Sequence, residues 1–218
     1  MVSKKDSAED GFTLVELLVG VVMLGVVSLA FYQVMIASSR SADTARAVTK
    51  VSEEARLGFG RMVRDTREGR RLVEADDVHY KVEVDFNGDG AIEPEGTTNS
   101  DGDFEVLTFV FDDTANTVTL NGDVLMRRVQ CAEVSGSCRP FFTYSSNRLE
   151  YDWNNNGVTS WQELDAAPSH GVIGVGNGDG SLNAAELPFV SNVGYELRVV
   201  ERDSFTEFVA EAQLRNLR

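Results

Sequence analysis

Residues Phe12 to Tyr32 read FTLVELLVGVVMLGVVSLAFY. Apart from Glu16 the run holds only apolar, glycine, hydroxyl and aromatic residues, and a helix of about 20 such residues crosses the hydrocarbon core of a bilayer. It reads as a membrane helix. A cleaved secretory signal wants a basic stretch ahead of a shorter, charge-free core, whereas Asp6, Glu9 and Asp10 crowd this junction and Glu16 sits inside the core. A plain anchor has no use for that acid, which costs roughly 2.5 to 3.5 kcal/mol on insertion scales and marks a functional position by default. The competing explanation is that a carboxylate so near the helix start snorkels to the interface.

The string around it, Lys4-Lys5 and then Gly11-Phe12-Thr13-Leu14-Val15-Glu16-Leu17-Leu18-Val19, resembles the class III signal of type IV prepilins and of the pseudopilins of type II secretion. The resemblance implies that a prepilin peptidase cuts after Gly11 and methylates the new amino terminus at Phe12. It also implies that Glu16, fifth in the mature chain, neutralises the terminal amine of a neighbouring subunit. A buried acid and a buried ammonium are each expensive alone, so pairing them between subunits makes assembly in one register the way to relieve both. Major pilins usually carry proline at mature position 22; Gln33 stands there, and no proline precedes Pro94, which points to a minor subunit.

Working outward, Val48, Val51, Ala55, Phe59, Met62 and Thr66 recur at helical spacing, with Lys50, Glu53, Glu54, Arg61, Arg64 and Asp65 off the stripe. Arg67, Arg70 and Arg71 with Gly69 suit a helix carboxyl end. A helix from Phe12 to Glu68 is about 85 Å long at 1.5 Å per residue. Beyond it the head reads as β-structure: Glu105–Phe111 is a strand, Thr117–Leu120 alternates, and Asn121-Gly122 before Asp123–Met126 is a strong hairpin signal. Val193, Tyr195, Leu197 and Val199 alternate with polar residues, then Phe208, Ala210, Ala212 and Leu214 do so after a polar turn. The expected fold is α+β and pilin-like, a long helix on an antiparallel sheet, with a meander and a closing hairpin. The expected organisation is a cleaved leader at 1–11, a membrane and assembly half at 12–36, an amphipathic half at 37–71, and a head at 72–218. The segment Val51–Arg67, the meander and the ending Glu211–Asn216 are together similar to PilW-type minor pilins and J-type minor pseudopilins.

Cys131 and Cys138 have no His or further Cys nearby to complete a zinc or redox site. In an oxidising exported compartment they are expected to pair as a disulfide closing a small loop; two free buried thiols is the other reading.

The chain has 218 residues and a formal net charge of −15, from 35 acids and 20 bases. Eight acids and no base lie between Glu83 and Glu105, and seven acids and no base between Leu149 and Leu197, so two stretches hold the entire excess. Such a polyanion has no footprint for phosphate backbones, which argues against nucleic acid and toward a divalent cation. Asp152-Trp153-Asn154-Asn155-Asn156-Gly157-Val158-Thr159-Ser160-Trp161-Gln162-Glu163 fits the twelve-residue calcium loop. Asp152, Asn154, Asn156, the Val158 carbonyl, Ser160 through water and Glu163 would be its ligands, and calcium suits them as a hard cation taking six to eight oxygens. Ser160-x-x-Glu163 is also a capping box.

Two further loops in the acidic stretches 83–105 and 149–188 match less well. Asp85-x-Asn87-x-Asp89-Gly90 opens correctly, but its twelfth position is Gly96, so that beyond Ala91, Glu93, Glu95, Asp101 or Asp103 would have to complete the shell. Asn177-x-Asp179-Gly180-Ser181-x-Asn183-x-x-Glu186 ends correctly but has Val175 first. A hairpin turn and a capping box are the plain alternatives for these two.

The expectation is a non-enzymatic minor pilin of a tip or priming complex, held in the inner membrane with a periplasmic head before assembly. It would bind one to three calcium ions, with other minor and major pilins, the prepilin peptidase and the inner-membrane assembly platform as partners. A J-type minor pseudopilin of type II secretion is the alternative in the same family, and a membrane-anchored calcium-binding adhesin or sensor the alternative in another class. Catalysis finds no support: the chain has two histidines, His79 and His170, no nucleophile with an identifiable base, and no glycine-rich phosphate loop before a helix.

Overall fold

The computed structural model describes residues 13–134, 136–201 and 204–215. Gly11 and Phe12 lie outside the described residues. The chain divides into two compact units, Met1–Ala47 and Val48–Arg218. Helix α1 runs from Leu14 to Arg67.

In the first unit α1 presents its apolar side chains outward. Leu14 is 80% exposed, Leu24 68% and Met35 72%, and an 18-residue window of mean hydropathy 2.5 has none of its residues buried. An apolar surface of this extent is stable only against lipid or other apolar helices.

The second unit is the head. Its first sheet is a meander of β1 (Arg71–Ala75), β2 (His79–Glu83), β3 (Val106–Asp112), β4 (Thr117–Leu120) and β5 (Asp123–Arg127), antiparallel throughout. The β4–β5 loop is Asn121-Gly122, both with positive φ, 51° and 87°, as the twist-matched two-residue hairpin demands. Strand β6 (Val129–Cys131) leaves this sheet for the second, where it pairs with β11 (Asn192–Glu201). The short hairpin β7 (Glu133–Val134) and β8 (Ser137–Cys138) follows, and the Cys131–Cys138 disulfide closes it, with 5.5 Å between Cα atoms. In the second sheet β9 (Phe142–Ser146) also pairs with β11, β10 (Thr159–Ser160) pairs with β9, and β12 (Ser204–Gln213) flanks β11 on its other side. Helix α2 (Trp161–Asp165) is a single turn leading out of β10.

Three differences from the sequence expectation stand out. Among the described residues the head holds two five-stranded sheets and a two-stranded hairpin where one meander with a closing hairpin was expected. The helix stops at Arg67 and not at 71, because Arg71 already pairs with Glu83 as the first residue of β1. Strands β1, β2 and β9 carry no long alternating pattern and were not anticipated.

The last turns of α1 pack on both sheets. Ala55 and Met62 are buried, and a Cβ at Gly58 would come within 2.5 Å of Met126 Cγ and 2.7 Å of the Leu125 carbonyl oxygen, so the hairpin β4–β5 approaches the helix as closely as backbone allows. Phe59 meets Phe208 and Tyr195 at 5.4 and 6.0 Å between ring centroids. The sheets meet through Tyr80 against Phe142 and Phe111 stacked on Phe141, aromatic pairs that add to the area they bury.

A chain of hydroxyls ties the three layers together. Thr66 Oγ1, in the last turn of α1, donates to the Met62 carbonyl oxygen at 2.8 Å and lies 2.7 Å from Tyr80 Oη, which lies 3.2 Å from Tyr195 Oη. All three side chains are fully buried, and burial holds both phenols far above their ordinary pKa, so they remain neutral bonding partners. Tyr80→Phe removes the middle link and leaves buried hydroxyls without their partner, at a cost of about 1–3 kcal/mol. The urea midpoint should fall with an unchanged slope, and an unmoved midpoint would show that the chain of hydroxyls contributes nothing.

Candidate functional site

Two regions carry the candidate residues: the start of α1 and three loops of the head. At the helix start Glu16 accepts hydrogen bonds from Thr13 N at 3.1 Å and Thr13 Oγ1 at 3.0 Å, while Thr13 Oγ1 accepts from Glu16 N at 3.3 Å. This is the reciprocal capping arrangement, and it aims the carboxylate back toward the amino-terminal end. An acid there also answers the positive end of the helix dipole.

The loop 152–163 winds around its own side-chain oxygens. Asp152 Oδ1 and Oδ2 accept from the backbone N–H of Asn156 (3.1 Å) and Gly157 (2.8 Å). Asn154 Oδ1 accepts from Asn156 N (2.9 Å) and Asn156 Oδ1 from Val158 N (2.8 Å). Glu163, at the end of the loop, accepts from Asn154 N (3.2 Å) on one oxygen and from Ser160 N (2.9 Å) and Ser160 Oγ (3.0 Å) on the other. These bonds include the capping box of Ser160 and Glu163. Trp153 fixes the loop from outside: its Nε1 donates to the Glu163 carbonyl oxygen at 2.9 Å and its ring stacks on His170 at 4.3 Å.

The loop 177–186 repeats these bonds position by position. Asn177 Oδ1 accepts from Asp179 N (3.0 Å), Asp179 Oδ1 from Ser181 N (2.8 Å), and Glu186 from Asn177 N (3.2 Å) and Asn183 N (2.9 Å). The first-position acid that Val175 cannot supply is supplied by Asp165. Its carboxylate accepts from Gly178 N, Asp179 N and Gly180 N at 2.7, 3.1 and 2.9 Å, just as Asp152 serves its own loop. Gly176 makes this docking possible, since a Cβ there would collide with the Leu164 carbonyl oxygen and with Asp165. Asp165 and Glu186 are buried and have no basic partner among the described residues. The Ser181 carbonyl oxygen and Asp179 Oδ2 both accept from Asn183 Nδ2.

The loop at 85 follows the same plan. Asp85 accepts from Gly88 N (2.7 Å) and Gly90 N (3.0 Å), Asn87 Oδ1 from Asp89 N (2.9 Å), and Asp89 Oδ1 from Ala91 N (2.7 Å). Glu105 takes the place that Gly96 leaves vacant, accepting from Glu93 N at 3.4 Å. Asp101 N and Asp103 N donate to Asn99 Oδ1. Glu95 turns away to Lys81, 2.9 Å off, a contact that lowers its pKa. The three loops also share one backbone signature, positive φ at the fourth and sixth positions: Gly88 and Gly90, Asn155 and Gly157, Gly178 and Gly180.

Asp165 and Glu105 are the residues that sequence reading missed. The only signal for either was its lack of a nearby base, since each stands outside the twelve-residue window. Among the described residues no three His, Cys, Asp or Glu side chains stand together as a metal-holding group.

Against known proteins, the model of the prokaryotic N-terminal methylation motif matches residues 6–32. No curated protein and no solved structure matches the chain. The matched stretch coincides with the start of the long apolar helix, so the chain carries a prepilin-type methylation motif on a helix long and apolar enough to cross a membrane. The head lies outside the matched residues.

Proposed function

We propose that this chain is a minor type IV pilin, a non-enzymatic structural subunit that joins other pilins in a tip or priming complex and helps to start the filament. The observation that carries the reading is the methylation motif on a helix that leaves its apolar side chains uncovered in the monomer. Uncovered apolar surface with one acid at its head is what a subunit needs to leave lipid for a bundle of like helices. Gln33 in place of proline favours the minor role. Before assembly the chain sits in the inner membrane with its head in the periplasm, where the assembly platform takes it up.

The head loops are the second part of the reading. An exported head meets abundant calcium, and the loop 152–163 offers Asp152, Asn154, Asn156, the Val158 carbonyl, Ser160 and Glu163 to it. With Asp165 as first ligand, the loop 177–186 offers Asn177, Asp179, Ser181, Asn183 and Glu186. Calcium there would order acidic loops that otherwise repel themselves, and it would do so without any catalytic step.

Co-purification of the full chain from detergent-solubilised membranes, with mass spectrometry of what accompanies it, tests the assignment. Other chains bearing the same amino-terminal motif are expected, and whether they belong to a pilus or to a secretion system separates the minor pilin from the J-type pseudopilin. Recovery of the chain with no motif-bearing partner would favour a free-standing anchored calcium protein instead.

A further inference from the structure

Strand β12 runs beside β11 without a bulge, from Ser204 opposite Glu201 to Gln213 opposite Asn192. Its other side has no strand among the described residues. The rung from Leu214 N to the Ser191 carbonyl oxygen, 2.9 Å, sets the parity. Residues of an antiparallel pair alternate between bonding the partner and facing away from it. Thr206, Phe208, Ala210 and Ala212 therefore direct their backbone groups to β11, and Phe205, Glu207, Val209 and Glu211 direct theirs outward. Arg67 donates to the outward carbonyl oxygen of Glu211 at 3.3 Å. From Phe205 to Val209 the outward N–H and C=O groups have no protein partner among the described residues.

Folded proteins blunt such edges with proline, bulges or charge. β12 has neither of the first two, and its acids are drawn back over the sheet. Glu207 meets Arg198 at 2.7 Å, and Glu211 accepts from Ser145 Oγ at 3.2 Å. Phe205 and Val209, on the same face, are 60% and 72% exposed. An unbulged, apolar edge of this kind is a template for one more strand.

The surface beside the edge selects what is added. Between α1 and β12 lies a hollow of about 490 Å³, floored by Phe59, Val63 and Ala210 and rimmed by Arg67 and Arg215. A strand laid along β12 would turn alternate side chains toward the α1 side of the sheet, where this hollow lies. Arg215 N donates to the Arg67 carbonyl oxygen at 3.2 Å, so the two residues are neighbours, and neither has a carboxylate partner among the described residues. In a chain of net charge −15, two guanidiniums without an acid at the end of an open edge favour a negative partner.

We propose that β12 is a docking edge that takes an extended segment of another chain as an added strand, apolar residues alternating along Phe205–Val209 and acids facing Arg67 and Arg215. Backbone bonds at Phe205, Glu207 and Val209 would supply affinity, and the arginines would fix direction. The negative charge of the chain disfavours a second copy as the partner. The edge lies apart from the acidic loops, and it does not depend on which filament the chain joins.

The probe is a synthetic peptide of about ten residues, alternating valine and threonine and ending in glutamates, with a lysine-ended peptide as its contrast. Fluorescence anisotropy follows its titration into the full chain in detergent micelles, against empty micelles. The acidic peptide should bind saturably and the basic one roughly tenfold or more weakly, as loss of a charge-assisted pair implies. Arg67→Gln combined with Arg215→Gln should erase that preference. Val209→Pro removes an outward N–H that β11 does not use, a place where an edge strand tolerates proline, and should weaken binding by a similar factor. Hydrogen exchange of the parent chain decides without any variant: the amides of Phe205, Glu207 and Val209 should exchange fast alone and slowly with the peptide. No saturable binding, or bound peptide that leaves those amides fast, would overturn the docking edge. Binding with no preference for the acidic end would overturn the partner's chemistry, and protection of the same amides in a dimer of the parent chain would put a second copy there instead.

Discussion

A Glu16→Gln chain is expected to insert in the membrane and lose its leader like the parent, and then to be missing from the filament. Glutamine keeps an oxygen that can accept from Thr13 N and Thr13 Oγ1 as Glu16 does, so the local cap at the start of α1 survives. What it loses is the negative charge. Insertion should be no worse and even easier, because an ionised acid in the apolar core costs roughly 2.5 to 3.5 kcal/mol on insertion scales. The defect should therefore appear only where a neighbour's amino terminus has to be neutralised in lipid, where breaking the pair by removing one partner leaves an uncompensated charge worth about 3–5 kcal/mol. At about 1.4 kcal/mol per decade, that is a loss of at least a hundredfold in incorporation. Immunoblots of membrane and sheared-filament fractions read both steps at once. Gly11→Val supplies the contrasting defect, with the leader retained and no filament incorporation. A Glu16→Gln chain incorporated at the parent level would show that Glu16 serves only its own helix start, and the assembly role would fall.

How much of this was legible in sequence varies by element for physical reasons. The helix was readable because an apolar run followed by an amphipathic stripe leaves few alternatives, and the hairpin Thr117–Arg127 because Asn121-Gly122 encodes a backbone conformation in two residues. Strands β1 and β2 were not. Arg70 and Arg71 read as the end of the helix, and each strand is only five residues long, too short for alternation to accumulate. What makes them strands is Tyr80 and Val82 packing under the helix, a tertiary effect. The loops show the same division. Their Asx turns are local and were visible as spacing, whereas Asp165 and Glu105 reach them through a helix end and a sheet register. Gly176 lets one loop lie against the carboxyl end of α2.

Chelation of calcium should lower the melting temperature of the head by several degrees, and the loops set the size of the effect. The carboxylates of Asp152 and Glu163, and of Asp165, Asp179 and Glu186, are turned inward by backbone N–H groups with no lysine or arginine paired to them among the described residues. Unfolded, these acids separate and bind calcium weakly, so binding and ordering of the loop are linked. A ligand that favours the folded state stabilises it by RT ln(1 + [L]/Kd), about 2.7 kcal/mol for each site held at a hundred times its Kd. For a domain of this size 1 kcal/mol moves the midpoint by roughly 2–4 °C, so one filled site gives a shift of about 5–10 °C. Magnesium should substitute poorly, because it demands tighter octahedral geometry and keeps its water. Asp152→Asn and Asp165→Asn remove one charge and turn one of the two accepting oxygens into a donor facing a backbone N–H, so each should lower the melt in EGTA and also cut part of the calcium-dependent shift. The two parts should add, since the carboxylates belong to separate shells. Coincident melting curves in calcium and in EGTA would mean that the hydrogen bonds within the loops suffice, and the three repeated turns would then be structural motifs without a metal.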